Sequence, residues 1–320
     1  FTMLNTMGRF LFSGNNRTPK ELLPVQKVDL SKFNDSSKNN VNVTWLGHST
    51  TLININGYKI ITDPVLEMSA SIFGPTRYNC SIPVETDSLK QIDVVLISHN
   101  HYDHLNKYSI KLLNEETKLF IVPLKVGELL MDWGVDKEKI IELDWWEEYS
   151  YDENLTLTAT PSQHFSGRGL FDRDKTLWAS YVVRTPNNRI FFSGDGGYSE
   201  SFKEIGNEYG PFDLTIMECG AYDKTWHHIH SFPEETIQAH VDLKSKILQP
   251  IHWGTFNLAL HAWYEPMYRA VAAAEKNNVQ LALPIVGETV ELGKYIPQDY
   301  WWEEYVDNKL ELNLAKSGIK

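Results

Sequence analysis

The chain has 320 residues, 42 of them acidic against 30 basic, for a net charge of -12. That length suits one large domain or two small ones with a substantial core. The acidic balance argues against a nucleic-acid-binding protein, whose affinity for phosphate backbones comes from clustered Lys and Arg.

The opening segment "FTMLNTMGRFLF" is apolar with one Arg. It is too short to span a bilayer and reads as packing on a hydrophobic surface, with contact to a membrane interface as the alternative. Because it starts with Phe1, the chain reads as trimmed upstream. No later run approaches the roughly 18 apolar residues of a membrane-spanning helix. The stretch "SKFNDSSKNN" (31–40) is the most linker-like and marks off an N-terminal arm, 1–40, from a single domain, 41–320. Strand-like patterns follow: "VNVTWL", then "TLININ", an Asn56-Gly57 hairpin turn and "YKIIT" running into Asp63-Pro64. Further strands are expected at 93–98, 118–122, 155–160, 178–183, 189–194, 213–218 and 246–251. Helical patterns lie at 125–134, 233–243 and 265–277, the last two opening with Pro233 and with Glu265-Pro266. Strands mixed with covering helices predict a layered α/β or α+β enzyme. The pentapeptide "WWEEY" occurs at 145–149 and 301–305 without surrounding similarity, and both copies read as partly buried aromatic edges with a solvated acidic face. Two well-separated cysteines, Cys80 and Cys219, make no disulfide framework and favour a reducing, cytoplasmic compartment.

The strand "DVVLIS" delivers "HNHYDHL" to a loop at its carboxyl end, where ligands of open α/β sheets collect. His99 and His101, two apart in an extended segment, share a face and suit one ion. Asp103 and His104, displaced along the loop, suit a second. Two ions also need further ligands and a bridging carboxylate. Three strand-end residues are candidates: His164 in "TPSQHF", Asp195 in "RIFFSGDGG" and His252 in "KILQPIHWG". His48, after Gly47 at a strand end, is read either as a neighbour of the metals or as a turn stabiliser. His240 reads as surface or core, His261 as a weak candidate for the groove, and His227 and His228 as loop residues.

These residues resemble the metallo-beta-lactamase superfamily. The resemblance implies an αβ/βα four-layer sandwich, two mixed sheets flanked by helices, with a dinuclear site between them. It implies His99, His101 and His164 on the first metal, Asp103, His104 and His252 on the second, and Asp195 bridging. Asp63, in "ITDP", matches an aspartate that orients the site from behind the ligands. More narrowly, "WLGHST", "SHNHYDHL", "ELDWWEE", "TPSQHF", "GPFDL" and "IHWGTF" resemble the branch of N-acylphosphatidylethanolamine-hydrolysing phospholipases D; "GDGGY" departs from it where a Thr is expected between the glycines. That branch implies phosphodiester hydrolysis releasing phosphatidate and an N-acylethanolamine, with Asp103 or the bridging Asp195 accepting or relaying a proton and His230, ahead of Pro233, donating to a phosphoryl oxygen. It also implies a homodimer, while peripheral membrane contact is the alternative that the opening segment offers. The donor set suits two divalent ions, zinc first, with manganese or iron tolerated. Rival readings are hydrolysis of a lactone or of a cyclic, sugar or other non-lipid phosphodiester, a non-catalytic metal- or lipid-binding protein, and a redox di-iron protein. The redox reading needs a carboxylate in place of a first-site histidine, and this chain keeps His101.

Overall fold

The computed structural model describes residues 16–71, 74–169 and 171–306. The apolar opening segment lies outside them. In chain order the strands are β1 (Val41–Trp45), β2 (Thr51–Ile55), β3 (Tyr58–Thr62), β4 (Ile92–Leu96), β5 (Thr117–Pro123), β6 (Ile140–Leu143), β7 (Glu148–Ser150), β8 (Thr156–Thr160), β9 (Ser180–Arg184), β10 (Arg189–Phe192), β11 (Leu214–Glu218), β12 (Ile247–Ile251), β13 (Gln280–Leu281) and β14 (Thr289–Glu291). The helices are α1 (Leu30–Phe33), α2 (Lys107–Leu113), α3 (Gly127–Asp132), α4 (Ser201–Glu208), α5 (Pro233–Asp242) and α6 (Glu265–Asn277).

The strands form two seven-stranded sheets, ordered β14-β1-β2-β3-β4-β5-β6 and β13-β12-β11-β10-β9-β8-β7. Each sheet is antiparallel in one half and parallel in the other. β14, β1, β2 and β3 pair antiparallel, then β3 through β6 run parallel. β7 through β10 pair antiparallel, then β10 through β13 run parallel. Period-two alternation sorts the first sheet's side chains. Val43, Trp45, Ile53, Val94, Leu96 and Ile121 join the core shared with the second sheet. Leu52, Ile61, Val95, Phe120 and Val122 pack with Ile110, Leu113 and Leu130 of α2 and α3 on the outer face. The fold is the expected sandwich, two mixed sheets flanked by helices.

All ten expected strand segments and all three expected helices are present, with ends shifted by a few residues. Four strands go beyond expectation, and each is short: β6, β7, β13 and β14 have two to four residues, too few to show a period. α1, α2 and α4 also go beyond it, although Asn106 caps α2 by accepting from the Ser109 N–H at 2.8 Å. The linker-like stretch 31–40 is packed against the first sheet. Phe33 is buried, and the Asn54 amide donates to the Phe33 and Asp35 carbonyls at 2.8 and 2.7 Å. The second WWEEY departs from the expected partly buried edge. It is a turn of 3-10 helix in which Trp301 and Trp302 are buried against Trp253, with ring centroids 5.3 and 5.5 Å away. Cys80 and Cys219 are both free. Among the described residues, no helix is long and apolar enough to cross a membrane.

Candidate metal centre

Seven strands of the sandwich end in the same place. β1 leads to His48, β3 to Asp63, β4 to His99 through His104, β8 to His164, β10 to Asp195, and β12 to His252, while β11 ends on Glu218 itself. His48, Asp63 and His252 hold positive φ of 53°, 33° and 65°, a backbone region costly for residues with a β-carbon. The chain therefore accepts local strain to turn these side chains inward.

Two donor clusters result. In the first, His101 Nδ1 lies 2.8 Å from His99 Nε2 and 3.2 Å from His164 Nε2. Three nitrogens on one tetrahedral zinc would stand about 3.3 Å apart. The second comprises Asp103, His104 and His252, together with His48. Asp195 lies between the two clusters. Its Oδ2 is 3.1 Å from both His104 Nε2 and His252 Nε2, and 4.0 and 3.9 Å from the Nε2 atoms of His99 and His164.

Surrounding contacts fix which ring nitrogen faces inward. His164 Nδ1 donates to the Ile229 carbonyl at 2.9 Å, which leaves the Nε2 lone pair free. The Ser98 hydroxyl donates to Asp63 Oδ2 at 2.5 Å and so accepts from His99 Nδ1 at 2.8 Å. Asp63 Oδ2 also accepts from His104 Nδ1 at 2.7 Å, and its Oδ1 accepts from the Ser98 N–H. Asp63 thus sits behind both clusters and turns one histidine of each toward the centre. His48 Nε2 is 2.9 Å from Asp103 Oδ2 and its ring centroid is 4.0 Å from that of His252. Its carbonyl accepts from the Trp45 indole at 2.9 Å and from the His252 N–H at 3.0 Å. The two readings of His48, site neighbour and turn stabiliser, both describe it.

The donor atoms fit a cation. His104 Nε2, His252 Nε2 and Asp195 Oδ1 are buried without a hydrogen-bond partner, since the 3.1 Å contacts to Asp195 lack hydrogen-bond geometry. Groups so placed are rare unless an ion or water satisfies them. Charge points the same way. Burial lowers His101 to about 4 and takes His99 and His164 well below the usual imidazole range, so the first cluster is neutral, the form that binds metal. Burial would lower His252 and His104 too, but Asp195 and Asp103 outweigh it, raising His252 to about 10 and His104 well above its usual value. In the polypeptide alone, protons supply the positive charge these carboxylates demand.

Residues 58–253 match the family described as Beta-lactamase superfamily domain. The chain belongs to the metallo-beta-lactamase superfamily. Among superfamily relatives, an uncharacterized protein of Mycobacterium tuberculosis is 45% identical over 81% of this chain and 71% of its own length. The Caenorhabditis elegans protein named N-acyl-phosphatidylethanolamine-hydrolyzing phospholipase D 1 is 35% identical over 76% of this chain and 71% of its own. Among solved structures, the isothiocyanate hydrolase from Delia radicum gut bacteria superposes with a TM-score of 0.64, covering 80% of this chain and 100% of that one at 18% identity. At that identity it shows the shared fold alone. Membership makes this chain a metal-dependent hydrolase of the superfamily.

Of the remaining histidines, only His230 comes to the centre, its ring 5.2 Å from His164 and 5.5 Å from His252. Its Nδ1 contacts Glu218 Oε1 at 2.7 Å, and Glu218 Oε2 accepts from the Gly196 N–H at 2.7 Å. Glu218 is the residue the sequence reading passed over. Burial, then the charge of Asp195, raises it well above the usual carboxyl range, and burial lowers His230 to about 4. The strand-end rule that picked out Asp195 and His252 applies equally to the last residue of "DLTIME". His227 and His228 stack on each other in the loop before His230, with centroids 3.8 Å apart. His240 is core, its Nδ1 2.7 Å from the Thr215 hydroxyl. The glycines of "GDGGY" are steric requirements: a β-carbon at Gly197 would collide with the His228 carbonyl, and one at Gly196 with the Ser162 hydroxyl.

Proposed function

We propose that the protein hydrolyses phosphodiesters with two divalent cations, zinc first, and that it cleaves N-acylated phosphatidylethanolamine on the phospholipase D side. The observation that carries this reading is one carboxylate, Asp195, set between an all-imidazole cluster and a mixed carboxylate-imidazole cluster. The name printed for the C. elegans relative supports the choice of substrate.

On this reading His99, His101 and His164 hold one cation, Asp103, His104 and His252 the other, and Asp195 both. Bound there, the cations supply Lewis acidity, which makes water nucleophilic near neutral pH and offsets charge on the phosphoryl oxygens. The chain's own residues do the rest. Glu218 grips His230 through Nδ1 and leaves Nε2 as the free nitrogen, which, when protonated, donates to a phosphoryl oxygen. His48 holds one oxygen of Asp103, so the other is left to bind or to accept a proton. Water adds to phosphorus, and the bond to the ethanolamine oxygen breaks. That oxygen takes up a proton and leaves as the N-acylethanolamine, with phosphatidate as the second product.

Metal analysis, paired with rates on bis(p-nitrophenyl) phosphate and on N-acylated phosphatidylethanolamine, tests this. Two equivalents of metal and cleavage of both substrates are expected, and Asp103→Asn should reduce both rates by about 100-fold or more. One metal or none per chain, or unaltered turnover in the variant, would sink the mechanism. Preference for soluble esters over micellar lipid would replace the substrate and keep the metals.

A further inference from the structure

The turn that carries the metal run contains one residue the mechanism above leaves unused, Tyr102. It is 45% exposed, while His101 before it and Asp103 after it reach the two donor clusters. Its ring lies against Arg168, with the guanidinium carbon 3.8 Å from the ring centroid. Arg168 comes from the other sheet, in the loop that follows β8 and His164. Its Nη1 donates to the Asn100 carbonyl at 2.7 Å and to the Leu105 carbonyl at 2.8 Å, the residues that bracket His101 to His104. Between those bonds the turn closes on itself, the His101 carbonyl accepting from the His104 and Leu105 N–H groups at 3.1 and 2.8 Å. The Arg168 loop is itself set in place. The Gly167 N–H donates to Asn100 Oδ1 at 2.7 Å, and Asp172 accepts from the Arg168 and Gly169 N–H groups at 2.9 and 2.7 Å. A guanidinium stays charged and only donates, so both bonds from Nη1 are charge-assisted and of the stronger kind.

We propose that Arg168, stacked on Tyr102, is a positioning residue for both metal sites: it fixes the turn from His101 to Leu105 so that His101 faces the first cation while Asp103 and His104 face the second. This rests on the two-cation part of the reading above and is independent of the substrate. One turn serves two ions only if its ends keep their separation, because any slide moves His101 and the Asp103-His104 pair together. Arg168 takes both ends on a single nitrogen, which sets that separation. The stack holds Tyr102 outward and leaves the side chains on either side of it facing the donors. Arg168 also fastens the loop of His164 to that of His101, two residues whose ring nitrogens are 3.2 Å apart. Its loss therefore reaches both clusters. His48 differs, since its ring contacts among the donors all lie in the second cluster.

The test is stepwise zinc titration of the metal-free wild type and of Arg168→Ala, with and without ethylguanidinium, the fragment that the substitution removes. Sodium chloride at the same ionic strength is the control. Both binding steps should weaken by about tenfold in the variant, and ethylguanidinium should return both toward the wild-type values. A variant with one or both steps unmoved overturns the inference. So does a weakening that ethylguanidinium fails to recover, because a guanidinium salt worsens a merely loosened fold. Tyr102→Leu covers the case of an Arg168 variant that fails to fold, since Tyr102 lies at the surface. Losing the aromatic face should weaken both steps together by about threefold, and wild-type affinity at both would overturn the role given to the pair. If the wild type binds fewer than two zinc ions, the two-cation reading falls and this inference with it; if it binds two and the variants match it, only the clamp is wrong.

Discussion

The His99, His101 and His164 cluster touches only uncharged partners directly, the Ser98 hydroxyl and the Ile229 carbonyl, with Asp63 one step further back through Ser98, and its rings are neutral. The Asp103, His104 and His252 cluster faces two carboxylates, with Asp63 and His48 behind it, and holds protons on its imidazoles. Equal numbers of donors therefore give sites of opposite temperament. A cation entering the first cluster displaces no proton from the rings, whereas one entering the second competes with protons that the carboxylates have already drawn in. The difference comes from the carboxylates among the donors themselves, Asp103 and the shared Asp195.

Removing the shared carboxylate should have the largest effect, because it breaks the comparison. Asp195→Asn takes a negative charge from both clusters, and phosphodiesterase activity is expected to fall by more than about 100-fold with loss of metal from both sites. Metal analysis alongside the rate checks this, and full retention of two metals would show that Asp195 does not serve both. A smaller change should separate the clusters. His48→Gln loosens Asp103 and the packing on His252, so stepwise metal titration should show the second binding step weakened by about 10- to 100-fold and the first unmoved.

The smallest effect comes from outside both clusters and gives their baseline. Burial lowers His240 to about 4, below its unfolded value near 6.5, so the fold prefers it neutral. Its contribution is complete above about pH 6.5 and is lost as pH falls toward 4, a difference of about 3 kcal/mol over that window. Denaturant titrations at pH 7 and 5, in the same metal state, should show His240→Gln less sensitive to acid than wild type. An unchanged difference between the two pH values would remove His240 from the acid limb and leave that limb to the clusters.

What the sequence made legible follows from range. His99, His101, Asp103 and His104 lie within one loop, and a buried strand ahead of them was enough to aim the run. The hairpin at Asn56-Gly57 and the Pro-initiated α5 and α6 were readable because their signals are local. Glu218 is harder to read: its strand-end position matches that of Asp195 and His252, but its role shows only when His230 arrives from the following loop. The two WWEEY copies are identical as text, yet Trp146 is 41% exposed while Trp302 is fully buried. The partner that decides, Trp253, is far away in sequence for both. The same holds for 31–40, polar in composition but fastened by Asn54 from a neighbouring strand.

The His48 carbonyl, which takes hydrogen bonds from Trp45 on one sheet and from the His252 N–H just past β12 of the other, works as a suture across the sandwich. The stitch ties the backbone of one donor to the opposite sheet, so the spacing within the second cluster depends on how the two sheets are registered against each other.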